Sequence, residues 1–365
     1  MKISGSKLWN ITLHTHEPFR IAFETLDECH GILVELMTDE GVSGYGEASP
    51  ARRITGETAE GAAQVLKSIL IPVIQGMDPF HLAEIHERMD ETIQGNPSAK
   101  AAIDMACYDL MGKAADKPVV SLLGKSPTSL LTDHTISIKT PEKQAEIAEK
   151  LVKEQYKILK IKLGGSPDED VLRIKTIREK IGHEPILRVD ANQGWSVQDA
   201  VTILDKISKY QIELAEQPIH GKNLKGLAWI RKRSPIPIAA DEAVHSPEQV
   251  LQALEMEACD IFNIKLMKCG GIYRASQIAS IVEAAHLSCM IGGMIAESNL
   301  AVSAAAHFSA SRSVVRYYDL DADLLLRDKL IKKGGLGLKN GGRLISDSPG
   351  FGIEGFDSKF LTPFS

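Results

Sequence analysis

Cysteine is sparse in this chain. The five present among 365 residues, Cys29, Cys107, Cys259, Cys269 and Cys289, are odd in number, widely spaced and without a C-x-x-C pair. That pattern argues against a disulfide framework or a cysteine zinc site and fits reduced thiols. Long apolar runs are missing as well: no stretch approaches the ~20 residues a membrane-spanning helix needs, and MKISGSKLWNITL carries no run of signal-peptide length. Basic blocks are also missing, and the formal charge is −6, which argues against nucleic acid as a partner. The expectation is a cytoplasmic protein with neither a membrane nor a nucleic-acid partner.

What is present is an average globular composition, 44% hydrophobic and 25% charged, in a chain long enough for two domains or one large barrel. Residues 2–14 and 31–46 alternate apolar and polar side chains around the turn signal TDEG, which predicts antiparallel strands. Helical spacing follows at 57–74, 81–91 and 101–114. Residues 1–125 therefore read as an α+β unit. From about Leu131 short apolar runs alternate with helical stretches: HTISI, ILKIKL, ILRVD, IELAE, IPIAAD, IFNIK, SCMIGG and VVRYYD. Eight such strands predict an α/β fold, a (β/α)8 TIM barrel over 126–334, with residues 335–365 returning to pack on the first unit.

Lys162, Asp190, Glu216, Asp241 and Lys265 lie 28, 26, 25 and 24 positions apart, each at or near the end of a strand. In a parallel barrel those ends share one mouth. Three carboxylates gathered there repel one another unless a cation sits between them, and an all-oxygen set suits Mg2+, or Mn2+ as a substitute, better than zinc. Strand alternation turns Lys160 and Lys162 to one side and Ile161 and Leu163 to the other. Lys265, on the sixth strand, is expected to face Lys162 across the ring, an arrangement suited to removing a proton from one face of a carbon and returning one to the other. Nearby positive charge is expected to lower the lysine pKa toward that of a useful base. Lys268 is expected in the loop beyond.

These residues, in the motifs KIK (160–162), RVDANQGW (188–195), EQP (216–218), ADE (240–242) and IKLMKCGG (264–271), resemble the enolase superfamily in its muconate-lactonising subgroup. YYDLDADLLL, at the end of the eighth strand, most resembles the dipeptide epimerases, including the alanine–glutamate enzymes. The resemblance implies a capping domain over an enolase-like barrel, and a homo-oligomer. It implies one Mg2+ held by Asp190, Glu216 and Asp241, with Asn192 and Glu242 supporting them. It also implies 1,1-proton transfer between Lys162 and Lys265 through an enediolate stabilised by Lys160. A D-x-D pair would bind the dipeptide's ammonium group, either Asp319 and Asp321 or Asp321 and Asp323, with Thr135 of the first strand also at the substrate. Where the alanine–glutamate enzymes carry an arginine, this chain has Glu24. That departure points to a non-acidic or cationic C-terminal residue, which Glu297 would reinforce and Arg53 would oppose. Rival readings are an Ala-D/L-Glu epimerase, an o-succinylbenzoate synthase or N-succinylamino acid racemase, and a non-catalytic binding barrel.

Overall fold

The computed structural model describes residues 1–126 and 128–364. Its first unit is built on a four-stranded antiparallel sheet in the order Leu361–Pro363, Ile3–Arg20, Thr25–Thr38 and Ser43–Ala48. The strands predicted at 2–14 and 31–46 are extended toward each other, because residues 12–20 pair with 25–30 through a register shift between His14 and Phe19. This pushes Ile21–Glu24 out as the tip of a long hairpin. Thr38 N–H donates to the Val42 carbonyl at 3.0 Å, closing the turn that TDEG announces. A helix, Pro97–Ala114, lies directly on the last of these strands. A Cβ at Gly46 would sit 1.9 Å from the Ala102 carbonyl oxygen, so only glycine allows that approach. The helical stretch at 57–74 starts at Ala59 behind a Thr58 cap and widens to a π-turn at Leu66–Leu70, just where Pro72 supplies no N–H.

The second unit is an eight-stranded parallel sheet: His134–Ile136, Ile158–Lys162, Ile186–Asp190, Ile212–Glu216, Ile238–Ala240, Ile261–Ile264, Ser288–Ile291 and Val315–Tyr318, hereafter the first to eighth barrel strands. Sequence neighbours pair throughout, and the ends of the sheet meet where Asp133 N–H donates to the Tyr318 carbonyl at 3.2 Å. Each strand falls within an apolar run read from the sequence. Several are shorter than those runs because their final residues, Leu163, Asp241 and Lys265 among them, belong to the rim. Lys162, Asp190 and Glu216 stand side by side in register, which brings them to one level of the mouth. Among the described residues no helix is long and apolar enough to cross a membrane.

Buried carboxylates fasten the two units. Asp104, on the Pro97–Ala114 helix, accepts from His86 Nε2 at 2.8 Å and from the backbone N–H groups of Ile272 and Tyr273 at 2.6 and 3.1 Å. The last two open the helix that follows the sixth strand, so one carboxylate of the cap satisfies otherwise orphaned donors of a barrel helix.

Candidate active site

Asp190, Glu216 and Asp241 end the third, fourth and fifth strand runs, and none is exposed to solvent. Each carboxylate has one oxygen tied down. Asn192 N–H holds Asp190 Oδ1 at 2.8 Å, Asn263 Nδ2 holds Glu216 Oε1 at 2.7 Å, and Lys268 Nζ holds Asp241 Oδ1. The second oxygens face ammonium groups: Lys162 lies 2.6 Å from Asp190 Oδ2, Lys160 lies 2.6 Å from Glu216 Oε2, and Lys265 lies 2.8 Å from Asp241 Oδ2. Glu216 Oε2 and Asp241 Oδ2 nevertheless accept no aligned hydrogen bond. Three buried carboxylates on adjacent strands, two of them with an oxygen that accepts no aligned hydrogen bond, fit a divalent cation such as Mg2+.

The charges of this cluster set one another. Burial pushes Glu216 up to about 7, with Asp190 adding to the effect. Burial acts the same way on Asp190 and Asp241, but Lys162 and Lys160 hold the first below the usual carboxylate range, and Lys265 and Lys268 hold the second well below it. Burial does pull Lys160 and Lys265 down, but Asp319 and Glu216 beside the first, and Asp241 and Glu216 beside the second, outweigh it and raise both. Carboxylates, not neighbouring cations, dominate their surroundings. Gly292 leaves the room that Lys265 occupies, since a Cβ there would stand 3.0 Å from its Cε.

On the far side of Lys160, Asp319 accepts from its ammonium at 2.9 Å. Asp321 accepts from Thr135 N–H at 2.5 Å. Lys160 holds Asp319 low against the effect of burial, whereas burial and the Asp319 charge push Asp321 up to about 8. Thr135, Lys160, Lys162, Lys265, Asp319 and Asp321 share the wall of a cavity of about 30 Å3. Asp323 takes no part in it: Arg343 binds it at 2.8 Å and Asn299 Nδ2 at 2.6 Å. Oxygens of Asp133, Asp319 and Asp321 also gather within 4.8 Å of one another. Asp133 is already paired with Arg188 at 2.8 Å and Asp319 with Lys160, so two of those three charges have partners.

Between the mouth and the cap lies a larger cavity of about 400 Å3, whose wall includes Lys162, Asn192 and Lys265 from the barrel. Glu24, Arg52 and Arg53 contribute from two cap loops, and Met294 and Ile295 from the loop after the seventh strand. Arg53 Nη1 donates to the Phe23 carbonyl at 3.0 Å and its guanidinium lies over the Phe23 ring, which borders the same cavity. Arg52 comes no nearer to Glu24 than 3.9 Å. Glu297 lines neither cavity. It is buried, and its Oε1 accepts from Met294 N–H at 2.8 Å, with burial pushing its carboxyl up to about 8. Glu242 lies next to the carboxylate cluster, where Asn192 Nδ2 reaches its Oε1 at 3.4 Å.

Three residues at this mouth were not read as site residues from the sequence. Lys268 belongs not to a loop but to a short helix, Leu266–Cys269, and is 2% exposed. Asn263 stands inside the sixth strand two positions before Lys265, and that period-two spacing was the available signal. Glu47, in the cap, accepts from Ser298 N–H at 2.8 Å and from Ser49 Oγ at 2.8 Å, anchoring the loop that carries Met294 and Ile295. Only its tertiary partners mark it out.

The sequence matches the model of the mandelate racemase / muconate lactonizing enzyme N-terminal domain over residues 7–124 and that of the enolase C-terminal domain-like family over residues 143–358. The chain belongs to this enolase-superfamily family. It is an isomerase of the racemase and epimerase kind. A hydrophobic dipeptide epimerase of Enterococcus faecalis is 39% identical, spanning 97% of this chain and 100% of that one. An L-Ala-D/L-Glu epimerase of Clostridium acetobutylicum is 38% identical over 98% and 100%. The crystal structure of the Enterococcus faecalis V583 dipeptide epimerase complexed with Mg and L-Leu-L-Tyr superposes with a TM-score of 0.95 at 38% identity, covering 97% of this chain and 100% of that one.

Proposed function

We propose that this protein is a cytoplasmic, Mg2+-dependent dipeptide epimerase that inverts the α-carbon of the C-terminal residue. The observation that carries the reading is that Lys162 and Lys265, from the second and sixth strands, line one cavity beside three buried carboxylates. Asp190, Glu216 and Asp241 would hold the cation. Mg2+ held there would supply positive charge to the substrate carboxylate. Lys162 and Lys265 exchange roles with the direction of reaction: one amine takes the α-proton while the C–H electron pair moves into the carboxylate, and the opposite ammonium delivers a proton to the other face. Lys160 offsets the negative charge gained by the resulting enediolate. Asp319 and Asp321 would receive the free ammonium group of the dipeptide.

For the side chain we propose a non-acidic C-terminal residue, with cationic ones included. Glu24 stands on the wall of the larger cavity while Arg53 is committed to Phe23. A dipeptide library assayed by deuterium uptake from D2O with Mg2+ present tests both levels. Exchange is expected with Xaa–Lys, Xaa–Arg or Xaa–apolar dipeptides. Turnover of Ala–Glu far above all of these would sink the side-chain reading, and no exchange with any dipeptide would sink the function. An N-succinylamino acid racemase would tolerate Asp319→Asn and Asp321→Asn, whereas a dipeptide epimerase would show a raised KM.

A further inference from the structure

The three carboxylates at the barrel mouth share an asymmetry that their positions alone do not require. Each is clamped at one oxygen by a donor other than Lys160, Lys162 or Lys265, and its second oxygen faces one of those three ammonium groups. Asp190 uses a backbone N–H for this, the amide two residues on, where Asn192 adopts a φ of 41°. Glu216 and Asp241 use side chains. Asn263 Nδ2 reaches from the sixth strand to Glu216 Oε1 across the fifth. Lys268 gives its ammonium to Asp241 Oδ1, to the Asp241 carbonyl at 2.6 Å and to the Asn263 carbonyl at 3.0 Å. The two oxygens these residues leave free, Glu216 Oε2 and Asp241 Oδ2, are the two in the set that accept no hydrogen bond.

We infer that Asn263 and Lys268 are positioning residues that decide which oxygen of Glu216 and of Asp241 is presented to the divalent cation. The inference rests on the metal reading above. An unclamped carboxylate can rotate or offer both oxygens, so it must be ordered when the cation binds; a clamped one is ordered in advance, and loss of such a supporting hydrogen bond typically weakens metal binding 10–100-fold. Both side chains are buried, at 1% and 2% exposure, and neither lines either cavity. Their influence would therefore pass through the carboxylates rather than through the substrate. Lys268 also joins two strand runs, since a single ammonium binds the Asp241 carbonyl at the end of the fifth and the Asn263 carbonyl inside the sixth.

The test uses the full chain freed of metal. Mg2+ alone is titrated by calorimetry into the parent and into Asn263→Ser, Lys268→Met and Lys268→Arg, and the melting temperature of each metal-free protein is recorded alongside. Serine is too short to reach Glu216 but leaves the backbone intact, so Asn263→Ser carries the test if Lys268→Met does not fold. Expected are a 10–100-fold weaker Mg2+ affinity for Asn263→Ser and Lys268→Met, partial recovery in Lys268→Arg, and turnover of Asn263→Ser that returns toward the parent value as Mg2+ is raised. A folded Asn263→Ser whose Mg2+ affinity lies within twofold of the parent would overturn the clamp while leaving the function standing. A parent that binds no Mg2+ would overturn both.

Discussion

Lys160 and Lys162 point the same way from one strand, yet two residues of rise give them different company. Lys160 is enclosed by Glu216, Asp190 and Asp319 at 2.6–3.3 Å. Lys162, nearer the rim, has among the described residues Asp190 alone within ion-pair reach and borders the larger cavity. The first environment suits a fixed charge and the second a group that gives and takes a proton. Replacing Lys162 with Ala is expected to slow α-proton exchange by roughly 100-fold or more for one stereoisomer of the dipeptide, with exchange through Lys265 retained for the other. Deuterium uptake followed separately on the two isomers measures this, and equal rates for both in the variant would refute the division of faces. Alternation along ILKIKL makes the shared direction of the two lysines legible. Which of them sits among carboxylates depends on residues 30 to 160 positions away, and no local pattern carries that.

At the scale of single elements, the helix Asn299–Ser311 shows how much of the packing is invisible in a pattern. It is buried along nearly its whole length, and its His307 lends Nδ1 to the Val120 N–H at 3.0 Å, where Val119–Leu122 begins. Burial pushes that imidazole down to about 3. Because its folded value lies below the ordinary 6.5, the unfolded chain binds more protons between the two, and stability falls as the pH drops through that window. At pH 5 the loss is about 2 kcal/mol from this group. His307→Asn keeps an acceptor and removes the titration, so its melting temperature should fall less between pH 7 and pH 5 than that of the parent. Identical slopes would show that His307 does not titrate as described. The strands of the barrel are the opposite case: short, largely buried runs, five of them with Lys162, Asp190, Glu216, Asp241 or Lys265 at or near the end, repeat often enough to be read directly. The first-unit hairpin was misjudged in length because its outer part is half exposed and weakly patterned, so nothing apolar marks how far it runs.

For the whole molecule, chemistry and substrate contact come from different units. The barrel strands and the rim just beyond them carry every lysine and carboxylate of the proposed reaction, while the cap loops at 21–24 and 50–54 form much of the wall of the larger cavity. Glu47 and Asp104 hold the units in one arrangement. Leu361–Pro363 completes the cap sheet along Trp9–Ile11. Deleting residues 361–365 strips that edge of its partner and is expected to lower the melting temperature by a few degrees, with Mg2+ affinity unchanged because among the described residues 361–364 no hydrogen bond or ion pair reaches a site residue. A variant that melts with the parent would show that the added strand contributes nothing to stability.

That pairing also has a consequence in time. Ile11 meets Leu361 across 350 positions of sequence, so at 5–20 residues per second a ribosome needs roughly 20–70 s to deliver the partner of a strand it made almost at once. Throughout that interval the backbone donors and acceptors of Trp9–Ile11 are open to any other strand within reach. Nascent copies crowded on one message would be the most exposed to such mispairing, at an edge of the cap sheet that carries none of the lysines or carboxylates of the chemistry.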